Sequence, residues 1–173
     1  TGNSAFHGGS VAVNAQFSAA GVTFDGTLCT GVANIQCSGD WMSDGGFNPS
    51  GGTVTFAGPG TRNVSGSLLF FPNIDVTGGT NVSTIQDLHI RGHLAVGGFS
   101  QFQTTAILDV DGDVTAQALS TLNLGGQTHT FGAGFSTIGF VNATGTFVFD
   151  GTASGVVSSS LATLPNVTIN KAG

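Results

Sequence analysis

Three aspartates stand at alternate positions around a glycine in the segment Asp109-Val110-Asp111-Gly112-Asp113. Carboxylates at this spacing resemble the opening of an EF-hand calcium loop, which also needs glycine at position six and a bidentate glutamate at twelve. Counted from Asp109, those places hold Val114 and Ser120, so the EF-hand pattern fails. In an extended strand, successive side chains face opposite ways. Leu108 and Val110 then point inward, and the aspartates form a solvated acidic face. A calcium site completed by a neighbouring segment is the alternative; otherwise no cofactor is expected.

Two histidines precede the aspartates in the same register. Leu88-His89-Ile90-Arg91-Gly92-His93-Leu94 matches Leu108-Asp109-Val110-Asp111-Gly112-Asp113-Val114 at an offset of 20. Stacked strands lie about 4.8 Å apart, so His89 would face Asp109, Arg91 would face Asp111 and His93 would face Asp113. A zinc site from His89, His93, Asp109 and Asp113 would need a bend at Gly92. Four residues along a straight strand separate the two imidazoles by about 13 Å, too far for one ion. A ladder of opposite charges is the expected arrangement.

Other chemistry finds less support. The chain has no glutamate, its fixed cations Arg62, Arg91 and Lys171 are scattered, and no nucleophile-elbow motif occurs. Polysaccharide-cleaving solenoids use paired carboxylates or clustered bases, so no enzyme activity is expected. Trp41 could stack on a sugar, or could fill the end of a core. His7 and His129 are single and expected at the surface. Thr53/Thr55 and Thr128/Thr130 are too few for a long ice-binding array. Cys29 and Cys37 are expected to form a disulfide that closes a short loop, with buried thiols as the alternative. Two thiols with no nearby histidine make an incomplete zinc set. Sequons stand at Asn63, Asn81, Asn142 and Asn166.

The elements that position these residues follow from composition. Glycine accounts for 29 of 173 residues, phenylalanine for 14, and threonine, valine and serine are abundant. That bias favours strands joined by tight turns. The apolar content argues against disorder, and one domain spanning residues 1–173 is expected. Only 7% of residues are charged and the net charge is −6. Nucleic-acid binding needs clustered cations and is excluded as a partner class. No apolar run approaches the ~18–20 residues of a membrane helix, and no secretory leader is recognisable at Thr1.

Repeats set the architecture. Gly52–Thr80 aligns without a gap on Gly145–Gly173, an offset of 93, with identities that include Phe56/Phe149, Leu68/Leu161, Pro72/Pro165 and Asn73/Asn166. Inside this lies the shorter apolar-x-apolar-x-Gly phrase, also present at Ile74–Gly78. Each phrase reads as a short strand with one buried face, followed by a glycine that permits a sharp bend. The phrases recur in one direction rather than mirroring each other as hairpins do. A right-handed parallel β-solenoid is therefore expected, with an antiparallel β-sandwich as the alternative.

Gly39-Asp40-Trp41-Met42-Ser43-Asp44-Gly45-Gly46-Phe47, Gly52-Thr53-Val54-Thr55-Phe56 and Leu164-Pro165-Asn166-Val167-Thr168-Ile169-Asn170-Lys171 resemble repeats of very large secreted bacterial surface proteins. The resemblance covers roughly residues 39–80 and 130–173, and leaves out Val82–Gln127 and the cysteine loop. It implies an extracellular or cell-surface location and an adhesin-like or filament-like role. Self-association into a fibre through open strand edges, or membership of a longer array, is expected. A carbohydrate-binding surface module for surface glycans is the alternative.

Overall fold

A computed structural model of the chain shows a β-solenoid of about seven turns built from three parallel sheets. It describes residues 2, 4–7, 10–12, 16–19, 22–25, 28–32, 34–44, 47–67, 69–160 and 164–171. Among these there is no helix, and hence none long and apolar enough to cross a membrane.

The chain visits the sheets in rotation. Sheet I has eight strands, from Ser4–His7 through Trp41–Asp44 and Gln101–Thr104 to Phe140–Ala143. Sheet II has six, including Leu69–Phe71, Leu88–Ile90, Leu108–Val110, Thr128–Phe131, Thr146–Phe149 and Asn166–Ile169. Sheet III has eight, from Gln16–Ala19 through Val54–Ala57 and Ile74–Thr77 to Val157–Ser159. A separate pair, Ser10–Ala12 with Leu28–Thr30, accompanies the first turns.

The sequence period is the coil. Asn81 pairs with Gln101 and Gln101 with Thr121, so the middle coils are 20 residues long. Leu88 pairs with Leu108 and Leu94 with Val114 at the same offset. Equivalent apolar side chains therefore stack into columns, such as Phe71, Ile90, Val110, Phe131 and Phe149, all fully buried. Each such side chain contributes about 1.5–3 kcal/mol by leaving water. The parallel ladder also satisfies the backbone polar groups that this burial would otherwise strand.

Phe56 and Phe149, equivalent positions of the aligned phrases, both point into the core, and neither is exposed. The two long phrases nevertheless lie on different faces: Val54–Ala57 is in sheet III and Thr146–Phe149 in sheet II. Each spans one 20-residue coil, since Val54 pairs with Ile74 and Thr146 with Asn166. The three sides share one in–out alternation, so the same phrase fits either.

The glycine that follows a strand serves the corner in two ways: Gly78, after Ile74–Thr77, is left-handed (φ 69°). Gly92 and Gly112 are not in the left-handed region. A Cβ on Gly112 would instead lie 2.5 Å from the Gly92 carbonyl oxygen, because consecutive corners stack in backbone contact. Left-handed geometry also appears at two non-glycine residues, Phe99 (φ 62°) and Leu119 (φ 64°), which follow one another at one-coil spacing. The preceding coil has Gly79 there, at φ 77°.

Candidate functional site

On sheet II, alternation buries Leu88, Ile90, Leu108 and Val110 and turns His89 and Asp109 outward. Parallel register sets His89 beside Asp109, as the 20-residue offset predicts. The imidazole Nε2 lies 3.8 Å from Asp109 Oδ2 and 3.1 Å from Asp111 Oδ2. The three potential donor atoms lie within 4.8 Å of one another. The outer column of the sheet holds them: the Phe70 ring meets His89 edge-on at 5.3 Å, and the Thr130 hydroxyl donates to Asp109 Oδ1. An open groove of about 590 Å³ adjoins the cluster, lined in part by Phe70, Ile85, Asp87, His89 and Asp109.

The rest of the expected charge ladder does not form. Arg91 does not pair with Asp111 but reaches back: its guanidinium donates to Asn48 Oδ1 (2.8 Å) and the Pro49 carbonyl (2.5 Å). His93 Nε2 pairs with Asp75 Oδ1 at 2.9 Å, one coil back, rather than with Asp113. Asp113 Oδ1 accepts the Gly134 amide at 2.8 Å. These residues stand at the corner beyond the strand, where backbone direction rather than register aims the side chain. Asp109, Asp111 and Asp113 consequently do not converge as a calcium-binding trio; Asp113 is outside the cluster.

Two aromatic rings are structural: Trp41, in line with the core-filling reading weighed for it, and His129, against the surface position expected. Trp41 is fully buried, edge-on to Phe47 at 4.7 Å and tilted on Phe71 at 5.2 Å. It offers no platform to a sugar. Its polar surroundings in sequence conceal the phase of the strand, which points Trp41 and Ser43 inward and Met42 and Asp44 outward. His129, expected at the surface, has no exposed area. Its Nδ1 accepts the Leu108 amide (3.2 Å) and its Nε2 donates to the Gly125 carbonyl (3.2 Å). Burial lowers its pKa, and the Gly125 bond partly opposes that shift.

Cys37 is buried in sheet III with Sγ 3.3 Å from the Gly39 carbonyl oxygen. As a thiol, burial pushes its pKa up. The side chains of Cys29 and His7 lie outside the described residues, so the expected Cys29–Cys37 bridge does too. The threonine pairs fall on different sheets, with Thr55 in sheet III and Thr128 and Thr130 in sheet II, and make no common face. On the outside of sheet I, amides pair instead: Gln103 donates to Ser83 Oγ (3.1 Å) and Asn142 to Asn123 Oδ1 (2.8 Å).

A second feature lies at one end of the stack. Among the described residues, Asn166–Ile169 is the last strand in the order of sheet II, and all four of its residues are exposed. Val167 and Ile169 lie opposite the buried Phe147 and Phe149, in the inner columns, yet are 44% and 63% exposed. Val157, opposite Phe135 in sheet III, is 40% exposed. Between the two sheets is an open recess of about 300 Å³, lined in part by Phe149, Val157 and Ile169. Lys171 ties this end down by donating to the Gly132 (2.7 Å) and Ala153 (3.0 Å) carbonyls. No protein family, curated protein or solved structure matches the chain.

Proposed function

We propose that this chain is an extracellular structural protein, the repeat unit of a cell-surface fibre or adhesin stalk, which extends its stack end to end with a second copy. One observation carries the reading: among the described residues, Val157, Val167 and Ile169 stand in the inner columns of sheets II and III with their apolar side chains exposed. A terminal parallel strand offers unpaired backbone groups to another strand, and a coil laid on it would cover these three side chains. The low charge and the resemblance of the Gly52–Phe56 and Leu164–Lys171 phrases to secreted bacterial surface repeats support the same reading.

The test is electron microscopy and light scattering of the purified chain, beside the double variant Val167→Lys, Ile169→Lys. The native chain should form linear assemblies, and the variant should remain monomeric with an unchanged circular dichroism spectrum. A native chain that stays monomeric at high concentration rejects end-to-end growth.

A further inference from the structure

We propose that His89, Asp109 and Asp111 bind one divalent transition-metal ion on the outer face of sheet II. The residue types differ from a calcium set, because calcium takes six to eight oxygen donors. An imidazole nitrogen with two carboxylate oxygens suits zinc and its neighbours in the first transition row. The distances fit a single ion. Ligand atoms held about 2.0–2.2 Å from zinc at tetrahedral angles lie roughly 3.3–3.5 Å apart. His89 Nε2 is 3.1 Å from Asp111 Oδ2 and 3.8 Å from Asp109 Oδ2, and all three donor atoms lie within 4.8 Å of one another, so side-chain rotation can gather them around one ion.

The surroundings favour a site over a chance encounter of charges. His89 and Asp109 are fixed by strand pairing on adjacent coils, so the rigid ladder holds them together. Thr130, on the next coil, donates to Asp109 Oδ1 and leaves Oδ2 directed at the imidazole. That is the outer-shell orientation which tunes metal ligands. Phe70 supports the opposite side of the His89 ring. The cluster is partly open, with side-chain exposures of 30% for His89, 43% for Asp109 and 53% for Asp111. The adjoining groove leaves room for water or an external donor at the remaining coordination positions. The inference is independent of end-to-end assembly, because the cluster lies on the coils of Leu88–Ile90 and Leu108–Val110, away from the open edge.

Calorimetric titration of the whole chain with zinc chloride at pH 7 tests it, with circular dichroism confirming that each variant is folded. One zinc per chain should bind saturably. His89→Ala and Asp111→Asn should each abolish saturable binding, and Thr130→Val should weaken it about tenfold. His93→Ala should leave it unchanged, since His93 pairs with Asp75. Absence of saturable binding in the native chain overturns the proposal. So does binding that survives in folded His89→Ala, or that His93→Ala reduces equally. Displacement of zinc by an equal concentration of calcium also overturns it.

Discussion

The imidazole Nδ1 of His129 accepts the backbone N–H of Leu108 at 3.2 Å, a place in the ladder normally filled by a carbonyl. One coil earlier the equivalent amide, that of Leu88, donates to the Ile107 carbonyl at 2.9 Å. The other ring nitrogen donates to the Gly125 carbonyl, so the neutral tautomer with the proton on Nε2 completes both bonds. Phe147 meets the ring edge-on at 6.0 Å.

Acid should therefore weaken the fold through this residue. Burial lowers the folded pKa below the unfolded value of about 6.5. Between the two values the unfolded chain binds more protons. The stabilisation is thus complete above about pH 6.5 and declines as pH falls from there toward the folded pKa. Urea unfolding midpoints from pH 8 to pH 5 should show this decline in the native chain and a smaller one in His129→Gln. Equal slopes in the two proteins would mean that His129 is not the titrating group.

Corner glycines should resist even a methyl group. Gly112→Ala places its Cβ 2.5 Å from the Gly92 carbonyl oxygen, and overpacking of this kind costs about 1–3 kcal/mol. Gly51→Ala is the matched control, because nothing lies within 4 Å of its Cβ and its φ is not left-handed. Its effect should be within about 0.5 kcal/mol. Denaturant unfolding of the pair checks the contrast. A tolerant Gly112 would show that the corners are free to move apart.

Core truncations should differ along the stack. Phe56→Ala opens a cavity in a layer shared with Trp41, whose ring centre is 6.3 Å away, and should cost about 3–5 kcal/mol. Phe149 is equally buried, but Ile169 above it is 63% exposed. Water can enter the space that Phe149→Ala leaves, so its cost should be smaller. Equal losses in thermal and urea unfolding would indicate that the end layer is as closed as the middle.

Much of the architecture is legible in the residues. The step of 20 from Leu88 to Leu108 is the coil itself, because parallel stacking on like residues makes sequence period and spatial period the same. That step by itself sets His89 beside Asp109. Alternation further marks Leu88, Ile90, Leu108 and Val110 as core. Tertiary structure decided what periodicity leaves open. Three sides with one pattern cannot be told apart in sequence, so the phrases carrying Phe56 and Phe149 came to lie on sheets III and II. Trp41 and His129 turn inward because the register of neighbouring coils sets the phase of their strands, whatever the polarity of adjacent residues. Past the strand ends no ladder fixes direction. There the fold sends Arg91 back to Asn48 and His93 back to Asp75, and brings Asp111 to His89, because the path of the corner determines which side chains can meet.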